Sequence, residues 1–116
     1  MPQYMMILHD STTALRSLSP DEIQRIVKRY NDWAAMVGAA GKLRGGNKLR
    51  DEAGRQMRKE SGKVVVRDGP YAEVKEIIGG YFIVEAASYD DLAALCEDCP
   101  HLDLGGRIEL REIEVV

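Results

Sequence analysis

The sequence predicts an α+β sandwich, an antiparallel sheet carrying two helices on one face, and three observations lead there. Strand-like and helix-like stretches follow one another as β-α-β-hairpin-β-α-β, the order in which helices return between strands of one sheet. Residues 20–37 place apolar side chains at helical spacing on one side, so that helix packs by one face. Residues 5–8 and 82–84 are apolar without alternation, as strands covered on both faces are. Two helices cover one sheet face, so the other face needs a second body, and a second copy of the chain is the simplest one.

Residues 3–9 form the first strand, and residues 10–18 are a polar loop rich in Ser and Thr. Ser19-Pro-Asp-Glu22 is a capping box with proline in the first helical position. Ile23, Ile26, Val27, Tyr30, Trp33, Ala34 and Val37 then make the apolar stripe, opposite Asp21, Gln24, Arg25, Lys28, Arg29 and Asp32. Gly38 and Gly41 end the helix, and Leu43 opens a short strand broken by Gly45-Gly46. Residues 55–60 and 63–67 flank Ser61-Gly62 as a hairpin. Its first arm is polar, with only Gln56, Arg58 or Met57 turned inward, while Val64, Val65 and Val66 read as buried strand. A strand over residues 81–86 follows, and then a short helix capped by Ser88-Tyr-Asp-Asp91, with Leu92, Leu95 and Cys96 inward and Pro100 as its stop. Gly105-Gly106 leads into the last strand, where Ile108 and Leu110 alternate with Arg107, Glu109 and Arg111.

The 116 residues make one domain, 1–116, with one core. With 45% apolar and 30% charged residues the composition is that of a globular protein. Sixteen basic against nineteen acidic residues give a net charge of −3, without the basic footprint of a nucleic-acid binder. No apolar run is long enough to cross a bilayer and no signal peptide opens the chain, so a cytoplasmic location is expected. Cys96 and Cys99 form a CxxC at the end of a helix, where the dipole opposes a thiolate and only His101 is near as a further ligand. Two reduced, buried thiols are expected, with no metal and no cofactor.

The stretch 68–80 links two apolar strands and gathers Asp68, Tyr71, Glu73, Lys75 and Glu76 between Pro70 and Gly79-Gly80. A lysine between acids holds an anion or tunes a carboxylate, which makes Asp68, Lys75 and Glu76 candidates for acid-base work on a small polar or anionic metabolite. His101 joins them as a group that titrates near neutral pH. Tyr71, Glu73, His9, Gly79 and Gly80 are candidate ligand contacts. Fixed at both ends, the loop is expected to bring Asp68, Tyr71, Lys75 and Glu76 to one pocket.

The run Asp68-Gly-Pro-Tyr-Ala-Glu-Val-Lys-Glu76, followed by Gly79-Gly-Tyr-Phe-Ile-Val84, resembles the signature of the YCII-related family, and specifically its DGPF branch, named for this tetrapeptide. The resemblance extends to Ser19-Pro20, Gly45-Gly46, Cys99-Pro100-His101 and Gly105-Gly-Arg-Ile-Glu-Leu-Arg111, nearly the whole chain. Tyr71 stands where the name-giving residue is Phe. The resemblance implies a ferredoxin-like subunit that pairs as a homodimer into a dimeric α+β barrel. In characterised members of the wider family a histidine early in the first helix and an aspartate are proposed as an acid-base dyad. This chain has no histidine there, and the dyad is not carried over. DGPF proteins resemble domains found beside or fused to extracytoplasmic-function sigma factors, which implies a binding or regulatory module as the alternative to a small enzyme.

Overall fold

The computed structural model describes residues 1–11, 18–50, 52, 54–69 and 76–116. Strand β1 (Gln3–Ser11) is central, with β5 (Glu76–Glu85) on one side and β6 (Arg107–Glu112) on the other, and β2 (Leu43–Lys48) extends the sheet beyond β5. All three pairings are antiparallel, in the order β2-β5-β1-β6, consistent with a ferredoxin-like fold. Tyr4, Met6 and Leu8 point to one face of β1 and lie opposite Val84, Phe82 and Gly80 of β5, so the covered face is set by alternation. On that face, Trp33 and Val37 of α1 (Pro20–Ala39) share a core with Leu92 and Cys96 of α2 (Tyr89–Cys96). The Trp33 and Phe82 rings meet edge to face at 5.2 Å.

Local chemistry fixes the helix ends. Ser19 caps α1 by accepting from the Glu22 N–H at 3.2 Å, with Pro20 inside the first turn. The helix passes through Gly38 and stops at Gly41, whose φ of +74° suits glycine. Gly41 N–H donates to Gly38 O at 2.9 Å and Lys42 N–H to Val37 O at 3.1 Å, a Schellman ending. Ser88 caps α2 through the Asp91 N–H. Pro100 does more than stop that helix: it opens the short α3 (Pro100–Asp103), with Cys99 at its N-cap.

Two strand readings change. The fifth strand begins at Glu76, so Gly79 and Gly80 lie within it rather than in a loop. Leu8 pairs with Gly80 and His9 with Ile78, which leaves Gly79 as the extra residue of a bulge. Strand β2 likewise runs through Gly45-Gly46, where a Cβ at Gly46 would sit 2.8 Å from the Phe82 ring. The second change concerns β3 (Arg55–Glu60) and β4 (Lys63–Asp68), which among the described residues pair only with each other. Their turn places Ser61 at φ 51° and Gly62 at φ 78°, both central residues left-handed as a type I′ hairpin requires. Gln56, Met57 and Arg58 are all exposed, and so are Val64 and Val66, because among the described residues no layer packs against this two-stranded sheet.

Both cysteines are buried and unpaired, and Cys96 Sγ lies 3.6 Å from Met6 Sδ. Among the described residues no group of three or more His, Cys, Asp or Glu is placed to hold a metal ion, and no helix is long and apolar enough to cross a membrane. Burial pushes the Cys96 thiol up to about 12 and raises Cys99 as well. The folded chain thus keeps protons that the unfolded chain releases above roughly pH 8.5. The contribution of these thiols is expected to be fully present below that pH and to be lost as pH rises toward 12. Denaturant titrations across the window check it: Cys96→Ala should flatten the decline, and parallel declines for parent and variant would count against it.

Candidate functional site

A cavity of about 520 Å³ lies between α1 and the sheet. The apolar stripe of α1 divides in two: Trp33 and Val37 enter the core, while Ile23, Ile26, Val27 and Tyr30 border the cavity. Ile23 and Val27 therefore remain exposed although they sit on the packing face. The floor comes from Leu8, Asp10, Phe82, Gly46 of β2 and Gly79-Gly80 of β5, and the far wall from His101 and Leu104 to Gly106. Glycine is required where neighbouring groups close in. A Cβ at Gly79 would run into the Asp10 carboxylate and one at Gly106 into the His101 ring.

His101 of α3 is held from two other elements, β1 and α1. Its Nε2 lies 2.9 Å from the His9 carbonyl oxygen, which can only accept, so Nε2 carries the proton. In the neutral ring Nδ1 then accepts from the Tyr30 hydroxyl at 2.6 Å. Burial, with smaller contributions from Cys99 and Asp10, raises the Tyr30 phenol well above the usual tyrosine range, so it stays a donor. Asp10 Oδ1 is 3.7 Å from Nε2, beyond a hydrogen bond and within ion-pair reach only if the ring is charged. With 2% exposure and both nitrogens engaged, His101 ties α3 to β1 and α1 and has no free atom for a ligand. Asp10, at 25% exposure, is the carboxylate that faces the cavity.

The expected site residues separate. His101, Gly79 and Gly80 border this cavity. Asp68 ends β4 on the hairpin, 90% exposed and 3.3 Å from Arg55, and does not line it. Glu76 sits outside it too, joined to Arg107 at 3.0 Å, and that guanidinium holds its carboxyl below the usual range. Neither Asp68 nor Glu76 therefore borders this cavity, and the pocket expected for them with Tyr71 and Lys75 turns on a stretch outside the described residues. His9 points to the opposite sheet face, 2.9 Å from Glu109. Tyr71, Glu73 and Lys75 lie outside the described residues.

The YCII-related domain family matches residues 2–115. The chain belongs to this family. It is also 26% identical over 96 residues to an uncharacterized protein of Rhizobium meliloti, covering 82% of this chain and 77% of that protein. Its cleft has Asp10 beside a clamped histidine at one end, and its walls are mostly apolar, with Asn31, Asn47 and Lys48 among them. That arrangement accepts a hydrogen bond, takes a proton or pairs with a cation, while the walls exclude water and strengthen the interaction. Sequence reasoning read Tyr30 as part of the core-facing stripe and so missed its place beside His101. The signal was present in Gly106 after His101 and in Gly79, each making room for a polar side chain.

Proposed function

We propose that this YCII-related chain, a member of its DGPF branch, binds a small organic molecule in the cavity between α1 and the sheet. The observation that carries this is a cavity of about 520 Å³, within the range of small-molecule sites, with the Asp10 carboxylate set among mostly apolar walls that also carry Asn31, Asn47 and Lys48. The occupant has an apolar body and one amine or hydroxyl that donates to Asp10. Asp10 is also the group placed to take a proton from the ligand, which is the form an enzymatic activity takes here. A homodimer formed through the open sheet face accompanies this reading, supported by Met5, Ile7, Tyr81 and Ile83, which lie opposite the helices and are only half-buried in one chain.

A thermal-shift screen of small amines and alcohols carrying aliphatic or aromatic bodies tests the cavity. Compounds that raise the melting temperature of the parent should lose about tenfold or more in affinity with Asp10→Asn, the cost of a charge-assisted hydrogen bond, and keep it with Asp68→Asn. Binding that ignores Asp10→Asn, or that follows Asp68, rejects the assignment.

A further inference from the structure

We infer that the β3–β4 hairpin is an arm that grips a second copy of this chain. A lone two-stranded hairpin is at best marginally stable in water, and this one pairs with no strand of the main sheet. It stretches the molecule: the radius of gyration is 16.1 Å, where about 13 Å is usual for a compact chain of this length. Yet one face of it carries an apolar cluster among its charges. Met57 is opposite Val66 and Lys59 opposite Val64, so alternation brings Met57, Val64 and Val66 together, at 68%, 57% and 51% exposure. An exposed apolar strand face invites association, and here it stands on a projecting element.

Charge selects the partner. Arg55, Arg58, Lys59, Lys63 and Arg67 against Glu60 and Asp68 leave the hairpin at +3, and since the whole chain carries −3 the remainder carries −6. The acidity is concentrated: residues 76–106 contain seven carboxylates and neither lysine nor arginine. Asp90, Asp91, Glu97 and Asp98 are exposed, and none forms an ion pair among the described residues. Glu97 caps the C-terminus of α2 and Asp98 follows it, where the dipole favours cations, and the last turn holds no basic residue. Exposed Leu102 and Leu104 lie in the same acidic stretch. A second copy thus offers both the negative charge and the apolar contact that the arm lacks in its own chain. The inference rests on the pairing proposed above and adds the element that clasps it.

Sedimentation equilibrium of the parent is compared with Met57→Thr/Val64→Thr/Val66→Thr, which keeps β-branched or strand-compatible side chains, and with Lys59→Glu/Lys63→Glu. The parent should be a dimer whose dissociation constant rises with salt, and each variant should raise that constant about tenfold or more with unchanged far-ultraviolet circular dichroism. Hydrogen exchange gives a reading without substitution: hairpin amides should become more protected as protein concentration increases. A monomeric parent at micromolar concentration overturns both the arm and the pairing. A dimeric parent with unchanged constants in both variants, or with hairpin protection independent of concentration, overturns the arm alone. So does an arm that binds duplex DNA, with binding lost in Lys59→Glu/Lys63→Glu while the dimer is unaffected.

Discussion

Gly80→Val is expected to lose about 3 kcal/mol of stability and roughly 10–20 °C in melting temperature, or to prevent folding altogether. A Cβ at Gly80 would stand 2.8 Å from the Asn47 carbonyl oxygen and 3.3 Å from Lys48 Cα. Both neighbours are backbone of β2, so no side chain can turn away; β2 must separate from β5. Valine adds two methyl groups to that contact. Because β2 is an edge strand held to the sheet by β5 alone, its displacement removes a whole layer of pairing and opens the cavity floor. Gly45→Ala in the same strand is the control, since its Cβ would rest 3.9 Å from the Ile83 side chain, an ordinary contact. Thermal melts decide it: a Gly80→Val protein within about 3 °C of the parent would mean that the two strands can part cheaply.

What the sequence revealed of the fold came from features whose physics is local. Ser19-Pro-Asp-Glu22 and Ser88 name their helix starts because caps act within one turn, and Ser61-Gly62 names its hairpin because two left-handed residues leave little else. Val64 to Val66 misled for the same reason: β-branched residues announce a strand but not whether a layer of the same chain will cover it. The stripe of α1 was legible as an apolar face, but its division between core and cavity depends on where the sheet ends, which no periodicity encodes. The site was half legible. His101, Gly79 and Gly80 stood out by residue type, whereas Asp10 joins them only through the register of β1 on β5 and the bulge at Gly79. Charge told least at the level of the whole chain, because a net −3 averages a basic hairpin with an acidic helical edge.

His101→Ala is expected to be the most damaging single truncation near the cavity, at about 3–5 kcal/mol. It removes a fully buried ring and leaves the Tyr30 hydroxyl and the His9 carbonyl without their partner, while α3 loses its tie to β1. Tyr30→Phe removes the donor to Nδ1 alone and should cost about 1–3 kcal/mol, the penalty of one unsatisfied buried group. Gly106 distinguishes a specific clamp from general damage. Its missing Cβ leaves the space that the imidazole fills, so Gly106→Ala in the parent forces the ring off its two hydrogen bonds. In the His101→Ala background the ring is gone and the same methyl group meets a void. Gly106→Ala should therefore destabilise the parent by about 1–3 kcal/mol and cost little or nothing once His101 is alanine, a coupling well outside additivity. Urea denaturation of the four proteins in the cycle measures it. Additive losses would show that Gly106 answers to the backbone turn before β6 and that the ring is not what its smallness accommodates.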